Sequence, residues 1–512
     1  MSRLKKAAAL VLTFTMAAAM VPQSAEAAKK KVKLDKKTVT VTVGKTVKLK
    51  LKNNKKKVKW AVISGKKNVS LSKKGKTGVT IKGKKAGNAK VQAKIGKKKY
   101  VCKVTVKNKQ KAKSVKKTPA TSGNSTGTAA GTKPGSSTPT ATPLPTASTE
   151  EPAKGPSENS KDAKNLKEII AKQRKAGATV SEDLQSEEYV WDGDYLTEIK
   201  WAGMKLTGTL DLNCFDHLEL VNCYGNQLSE LDVTKCPSLK ELDCSGNQLS
   251  ELDVTKCLNL EKLSCLENQL SELDVTKCPS LERLSCEDNQ LSELDVTKCP
   301  SLETLICSGN HLSILDVTKC LSLEWLSCDF NPLRELDVTK CPSLTYLGCW
   351  YNQLSELDVT KCPSLRELGC GGNQLSKLDV TKCPSLRGLW CGGNQLSKLD
   401  VTKCPSLEGV SCGSNQLSKL DVTKCPSLEK LYCDDNKLGN LDVSKCPSLE
   451  ELDCSNNQLS ELDVTQCPSL ENLGCAYNQL SKLDLTNCTK LTELSCGANV
   501  TVVGYTGKIK RS

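Results

Sequence analysis

Cysteine is the residue type with the most chemical potential in this chain of 512 residues, which contains 29 of them. Fourteen stand in one column with a spacing of 21 residues, from Cys223 to Cys496. Thirteen stand in a second column, from Cys236 to Cys488. Thiols at such regular spacing could form disulfides, bind a metal ion or fill a core, and these uses differ in the geometry they need.

Disulfides and metal sites are both disfavoured by the spacing. Residues in register on stacked parallel strands lie about 4.8 Å apart and point the same way. A disulfide prefers converging Cβ atoms roughly 3.5–4.5 Å apart. There is no C-x-x-C pair, and the only histidines are His217 and His311, so a metal site is not indicated either. We therefore predict two columns of buried, reduced thiols, with no metal and no cofactor.

The acidic residues do not suggest catalysis. An aspartate column runs from Asp232 to Asp484 and could either bind calcium or cap tight turns. Capping is favoured because the glycine-rich nonapeptide of calcium-binding β-helices is absent. No pairing of a nucleophile with a base, and no pair of carboxylates, emerges around either histidine. The sequence thus predicts a protein that is not an enzyme.

The cysteines belong to a 21-residue repeat such as LKELDCSGNQLSELDVTKC, which begins at Leu239. Its pattern L-x-x-L-x-C-x-x-N-x-L matches the leucine-rich repeat signature and predicts a solenoid of 14 regular copies over residues 214–503. Leu242 and Cys244 should point inward from a short strand, and Asn247 should bond to backbone along the stack. Parallel strands would then line a concave face.

These residues resemble the cysteine-ladder branch of bacterial leucine-rich repeat proteins, the internalin J-like group. The matching features are the 21-residue period, the L-x-C-x-x-N-x-L core and the following LDVT, as at Leu252 to Thr255. The resemblance implies a surface adhesin or recognition module without catalytic activity. One departure is the second cysteine, in TKCPSL, where that group usually carries Asn, so the outer turn could pack differently.

The N-terminal part predicts a different module. Residues 1–27 have the basic start, apolar centre and A-x-A end of a secretory signal peptide. Residues 28–107 contain seven short alternating segments and predict an antiparallel β-sandwich. This region resembles the bacterial immunoglobulin-like group 2 domain in TVTVTVGKTVKL, in VKWAVISG with Trp60 as the core aromatic, and in the closing CKVTV. Such domains commonly act as spacers or adhesive modules.

Charge divides the chain. Residues 29–117 hold 34 lysines against one acid, Asp35, whereas the repeats are acidic. So basic a module should attract anionic surface polymers, but it lacks the aromatic and arginine content of specific nucleic-acid readers.

Residues 108–160 are rich in Ser, Thr and Pro and predict a disordered linker. Residues 161–213 predict a cap with a helix and a degenerate repeat, and residues 504–512 a C-terminal tail.

The positions that vary between copies lie three and one before, and one and two after, the ladder cysteine. All nine aromatics from Val221 to Asn499 stand at these positions. Glycines occupy the same positions in the neighbouring copies, which suggests a bare floor beside an aromatic wall. The sequence therefore predicts a ligand-binding patch on the concave face, made of Trp325, Phe330, Tyr346, Trp350, Tyr351, Trp390 and Tyr432.

These observations predict an exported recognition or adhesion protein. Its ligand would be a protein or a glycan, since aromatic platforms suit both, while the basic module would hold it on an anionic cell-wall polymer. No later stretch is apolar for long enough to span a bilayer, so we expect a secreted protein or one retained non-covalently at the surface. The alternative is a wall-associated structural spacer without a specific ligand.

Overall fold

The computed structural model describes residues 33–34, 38–43, 45–52, 56–95, 98–107 and 156–511. The predicted signal peptide, and the predicted linker up to residue 155, lie outside these ranges. The chain divides into two units between Thr142 and Pro143. Within the described ranges, no helix combines the length and apolar content that crossing a bilayer requires.

The N-terminal unit contains two sheets of four strands. One sheet has the order β1-β3-β6-β5 and the other β2-β8-β7-β4. The strands are β1 (Lys33–Leu34), β2 (Thr38–Thr42), β3 (Thr46–Lys52), β4 (Lys59–Ser64), β5 (Val69–Ser72), β6 (Gly78–Gly83), β7 (Gly87–Ile95) and β8 (Lys98–Lys107). One pairing departs from the predicted antiparallel arrangement, because β2 runs parallel to β8.

Alternation of apolar and polar residues gives this unit its core. Inward residues of both sheets, such as Leu49 and Val91, are fully buried in one hydrophobic cluster. Trp60 belongs to that cluster, as predicted, and its indole N–H donates to the carbonyl of Gly75 at 2.9 Å. The outward positions are largely lysine. Assignment of the unit to the immunoglobulin-like group 2 family stays a prediction.

The second unit consists of one helix and a long series of short strands. They are α1 (Lys161–Lys175), β9 (Tyr189–Asp192), β10 (Tyr195–Lys200), β11 (Thr207–Asp211), β12 (Leu220–Asn222), β13 (Gln227–Asp232), β14 (Glu241–Asp243), β15 (Lys262–Ser264), β16 (Arg283–Ser285), β17 (Thr304–Ile306), β18 (Trp325–Ser327), β19 (Tyr346–Gly348), β20 (Glu367–Gly369), β21 (Gly388–Trp390), β22 (Gly409–Ser411), β23 (Lys430–Tyr432), β24 (Glu451–Asp453), β25 (Asn472–Gly474), β26 (Lys482–Asp484), β27 (Glu493–Cys496), β28 (Thr501–Val503) and β29 (Ile509–Arg511).

The N-terminal end of the solenoid is covered by α1 and β9. Ser160 caps the helix by accepting a hydrogen bond from the Ala163 N–H, and Leu166 and Ile170 bury the predicted apolar face. Strand β9 then pairs antiparallel with β10. Trp201 occupies the ladder position of this first, degenerate copy and is fully buried. Its backbone N–H donates to a backbone carbonyl of the next copy, as the backbone N–H groups of the ladder cysteines do.

From β10 onward the ladder strands pair in parallel, in one line through β12, β14–β25 and β27 to β29. From β12 to β27 successive strands pair residues 21 apart, as in Leu326 with Leu347, so these copies keep the same register, whereas β10 pairs with β12 at 22 and β27 with β29 at 15. This arrangement is the predicted leucine-rich repeat solenoid. The predicted C-terminal tail is part of it, because β29 adds to the sheet and the Arg511 guanidinium donates to the Val500 carbonyl at 2.8 Å.

The core repeats in the same way. Leucine, valine and cysteine side chains of every copy are buried against the copies on either side. The asparagine side chains link neighbouring copies by hydrogen bonds to backbone groups. The Asn331 side-chain N–H₂ donates to the carbonyls of Cys307 and Cys328, and its side-chain oxygen accepts from the Leu312 backbone N–H at 2.9 Å. Burying one leucine contributes about 1.5–3 kcal/mol. Adjacent copies, rather than single ones, are thus the stable unit.

Candidate functional site

The ladder thiols are placed for packing and not for reaction. The 27 cysteines of the two columns are free thiols, and all of them are buried. Burial raises the pKa of the Cys223 thiol to about 12, and of the Cys299 thiol to about 12. Metal ligands and nucleophiles require the thiolate, so these thiols are protonated and inert at neutral pH. In the part of the chain that the structure describes, no three His, Cys, Asp or Glu side chains are grouped to hold a metal ion.

The predicted aspartate caps are present on the turn after the core strand. The Asp253 carboxylate accepts hydrogen bonds from the Thr255 N–H at 3.0 Å and from the Thr255 hydroxyl at 2.6 Å. The same pair of bonds recurs along the column, for example at Asp337 and Thr339. Hydrogen bonding lowers the pKa of Asp337. This column therefore fixes the turn shape of each copy.

The variable positions lie on one face of the sheet, which we call the strand face. In each three-residue strand the middle leucine is buried, so the residues three and one before the ladder cysteine point away from the core. The residues one and two after the cysteine lie just beyond the C-terminal end of the strand. The residue two after the cysteine has positive φ in most copies, either as glycine or as another residue.

Four of the predicted aromatics form two stacks on the strand face, and a fifth, Trp350, lies beside the second stack. Trp325 and Tyr346 stand opposite each other on β18 and β19, and their rings stack with centroids 3.8 Å apart and planes 5° apart. Phe330 and Tyr351, two after their ladder cysteines, stack at 4.9 Å and 17°. Trp350 lies 6.4 Å from Tyr351 at 31°. These five residues are called the aromatic site below.

The second stack is both exposed and strained. Phe330 is 61% exposed and Tyr351 is 54% exposed, and both have left-handed backbone, with φ of 53° and 50°. Bulky side chains rarely adopt this conformation, which costs roughly 1–2 kcal/mol per residue. Glycine takes the same position in other copies, as Gly309 and Gly372 do. Two aromatic side chains therefore occupy, in the open, a position where the backbone favours glycine.

The glycines beside the aromatics are not a bare floor, which corrects the prediction. A Cβ on Gly369 would fall 2.0 Å from Nε1 of Trp350, and one on Gly371 would fall 2.5 Å from Cζ3 of the same ring. In the same way, a Cβ on Gly409 would fall 2.6 Å from the ring of Trp390. The indoles of Trp350 and Trp390 each lie over the following copy, and the glycines of that copy leave room for the ring.

Asp329 was not predicted, although it holds the site together. Its carboxylate accepts hydrogen bonds from the backbone N–H of Trp350 at 2.7 Å, from the Ser327 hydroxyl at 2.9 Å and from the Ser308 hydroxyl at 3.4 Å. It thereby links three successive copies directly between the two stacks. Burial nonetheless raises the pKa of this carboxyl. In the sequence it is one acid among several at variable positions, and nothing singles it out.

Trp390 and Tyr432 stand apart from the aromatic site. The Trp390 indole N–H donates to a carboxylate oxygen of Glu367 at 3.3 Å. The Tyr432 hydroxyl donates to Glu451, and burial raises the pKa of this tyrosine. No ring contact joins either residue to the five others within the described ranges. The structure thus brings together five of the seven predicted residues.

Comparison with known proteins agrees with this geometry. Two profiles match within the array: Leucine Rich Repeat over residues 238–260 and Leucine Rich repeats (2 copies) over residues 426–466. No curated protein matches the chain. Among solved structures, an internalin (InlF) from Listeria monocytogenes is 18% identical, with 68% of this chain and 90% of that chain covered and a TM-score of 0.44. YopM, a leucine-rich effector protein from Yersinia pestis, is 28% identical, with 55% and 84% covered and a TM-score of 0.45.

The functional domain of InlJ from Listeria monocytogenes, which includes a cysteine ladder, gives a fuller match. It is 33% identical, with 60% of this chain and 68% of that chain covered and a TM-score of 0.57. The cysteine ladder named for that domain has its counterpart in this chain, where parallel strands pair 21 residues apart and the ladder cysteines are buried. This chain belongs to the leucine-rich repeat proteins, in the cysteine-ladder group that InlJ represents.

Proposed function

We propose that this chain is an exported recognition protein that binds a protein or a glycan ligand through the aromatic site. The observation that carries the proposal is the pair of ring stacks on the strand face, Trp325 with Tyr346 and Phe330 with Tyr351. Stacked rings lose little conformational entropy when a ligand covers them, because their positions are already set. Exposed aromatics of this kind are typical of binding hot spots.

The backbone at the second stack supports the same conclusion. Folding alone does not favour Phe330 and Tyr351 at left-handed positions, where glycine would be free of strain. Strain that persists at an exposed position is typical of functional sites. Tyr477 is also exposed and left-handed but has no ring stacked on it among the described residues, so the strain supports recognition only where the rings also stack. The spacer alternative therefore leaves this feature without a physical reason.

The proposed attachment to an anionic surface polymer rests on the N-terminal unit. Every described lysine of this unit whose side chain is placed is exposed, as at Lys48, Lys59 and Lys90. No acidic residue lies among the unit's described residues to offset them. Such a surface attracts polyanions in a way that salt screens. Export, with secretion or non-covalent surface retention, rests on the sequence of residues 1–27.

The test is a binding screen of the labelled full chain against a glycan array and a panel of purified extracellular glycoproteins. Each ligand found is measured again with the Trp325→Ala/Trp350→Ala variant. We expect affinity to fall at least about tenfold, as truncation of hot-spot aromatics usually causes.

The matched control is Tyr224→Ala/Tyr477→Ala, which removes two exposed aromatics at strand-face positions outside the aromatic site. The control should bind within about twofold of the unaltered chain. If no ligand is found, or if both variants lose affinity equally, the spacer alternative is favoured. Far-ultraviolet circular dichroism of all variants verifies that the solenoid remains folded.

A further inference from the structure

The two stacks of the aromatic site are separated by closely packed groups. A Cβ on Gly348, which lies between them in sequence, would fall 2.9 Å from Oδ2 of Asp329 and 3.2 Å from Cε1 of Tyr346. Trp350, on the other copy, lies over the following glycines. The stacks stand five residues apart, which is at most about 16 Å along the chain. A ligand lying across both stacks would contact the exposed rings of Trp325, Phe330 and Tyr351.

Three carboxylates lie in or beside the aromatic site. Asp329 lies between the stacks in sequence, and Glu287 stands one after its ladder cysteine two copies earlier. Glu367 pairs with Tyr346 across β19 and β20, and its carboxylate accepts from the Trp390 indole. All three act on one phenol: burial, with smaller contributions from the charges of Asp329, Glu367 and Glu287, raises the pKa of Tyr346 to about 12. The three carboxylates are therefore close enough to influence a single bound group.

None of these carboxylates forms a salt bridge in the described part of the array. The ion pairs on or beside the strand face join other residues: Lys240 with Glu219, Lys262 with Glu241, Arg387 with Glu408 and Lys430 with Glu451. Arg387 lowers the pKa of Glu367 only as its weakest influence, and burial raises it. Burial likewise raises the pKa values of Glu287 and Asp329. The site is thus a half-buried aromatic surface with three carboxylates, of which Asp329 and Glu367 accept hydrogen bonds and none forms a salt bridge with a described residue.

A ligand complementary to this surface must carry positive charge on an apolar stem. Lysine and arginine side chains do so, since their methylenes pack on rings while the cation lies over an aromatic face or beside a carboxylate. An anionic glycan would be repelled, and a neutral one would leave the carboxylates desolvated without compensation.

The length of the surface favours a polypeptide. From β16, which precedes Glu287, to β20, which carries Glu367, the sheet advances by four strand spacings, or roughly 19 Å. An extended chain covers that distance with about six residues. Resting on the proposed function of the same site, we propose that the aromatic site binds an extended, lysine- or arginine-bearing segment of a partner protein.

The probe is a fluorescent hexapeptide of alternating arginine and glycine, with a citrulline and a glutamate analogue of the same length. Fluorescence polarisation with the full chain at 150 mM salt should give binding of the arginine peptide at least about tenfold tighter than of either analogue. Glu287→Gln/Glu367→Gln should weaken it about tenfold. Glu251→Gln/Glu293→Gln, which removes the same charge from exposed positions off the strand face, should leave it within about twofold.

Equal weakening by both pairs of substitutions, or equal binding of the citrulline peptide, would overturn the proposal. Neither result touches the function proposed above, which falls if the screen finds no ligand or if Trp325→Ala/Trp350→Ala weakens binding no more than its control does. Sedimentation of the full chain supplies the remaining comparison. Self-association that Glu287→Gln/Glu367→Gln abolishes would make a second copy, with its lysine-rich unit, the occupant and would also overturn the proposal of a foreign partner.

Discussion

The indole ring of Trp350 lies against the backbone of Gly369, so closely that a Cβ on this glycine would fall 2.0 Å from Nε1. The two residues belong to successive copies of the repeat. The ring of the earlier copy can therefore adopt this position only because the later residue is glycine. The orientation of one aromatic is thus set by the absence of a side chain 19 residues further along the chain.

Substitution of Gly369 tests this dependence directly. Gly369 does not have positive φ, so Gly369→Ala places a methyl group in the path of the indole without backbone strain. We expect Trp350 to move outward, its fluorescence to shift to the red, and affinity for the arginine hexapeptide to fall about three- to tenfold. Gly439→Ala is the control, because a Cβ there meets nothing within 4 Å. Unchanged fluorescence and affinity in Gly369→Ala would show that the contact does not hold the ring.

Phe330→Gly separates folding from recognition. The change relieves a left-handed backbone that costs about 1–2 kcal/mol. It also removes a ring stack of about 0.5–1.5 kcal/mol and adds about 0.4–1 kcal/mol of unfolded-chain entropy. These opposing effects nearly cancel, so the free energy of unfolding should change by less than about 1 kcal/mol. Affinity should nevertheless fall at least about fivefold, because the ring is lost. Urea unfolding and fluorescence polarisation measure the two quantities on the same variant, and a stability loss above about 2 kcal/mol would make Phe330 a structural residue.

The repeat could be predicted from sequence because each of its columns has one physical task. Period and register follow from the leucines and cysteines, and the bonds of Asn331 and Asp253 follow from side chains that suit backbone capping. The cap was also predictable, since Trp201 stands where the ladder cysteine would. These features depend only on neighbours at fixed sequence spacing, which a single sequence reveals.

The candidate site was predictable only in outline. Its residues could be placed on the strand face, but the lean of Trp350 over the next copy depends on the direction of its side chain, which spacing does not determine. One signal was available and missed. The residue two after the ladder cysteine is Gly, Asn or Asp in many copies, as at Gly246, Asp288 and Asn456. Such a column indicates left-handed backbone and marks Phe330 as unusual.

The asparagine column should be costly to interrupt. Asn457 accepts from the Leu438 N–H at 2.9 Å and donates to the Cys433 carbonyl at 2.9 Å, both in the preceding copy. Asn457→Ala leaves these buried groups without partners, at roughly 1–3 kcal/mol each. We expect the free energy of unfolding in urea to fall by about 3 kcal/mol. The exposed neighbour Gln458 provides the control, since Gln458→Ala should change it by less than about 0.5 kcal/mol. A loss below about 1 kcal/mol for Asn457→Ala would show that water replaces the asparagine.

Stability of the array should fall at alkaline pH because of its thiols. Burial raises the pKa of Cys299 to about 12 and of Cys320 to about 12, whereas an unfolded thiol ionises near pH 8.5. Above that pH the unfolded chain releases protons that the folded chain retains, so the thiols' contribution is complete below pH 8.5 and declines as pH rises toward 12. Each copy carries two thiols, so exposure of one copy should lose up to about 3 kcal/mol per pH unit.

Urea midpoints measured under a phosphine reductant at pH 7.5, 8.5 and 9.5 check this slope below the range in which lysine titrates. The midpoint should stay level between the first two values and then fall. A thiol-specific chromophoric reagent at pH 8 supplies the control: the folded chain should react slowly and mainly at half-buried Cys214, and the denatured chain should release 29 equivalents. A midpoint independent of pH up to 9.5, or rapid reaction of the ladder thiols in the folded chain, would show that the two columns are open to water, because only a sealed core can keep so many thiols protonated.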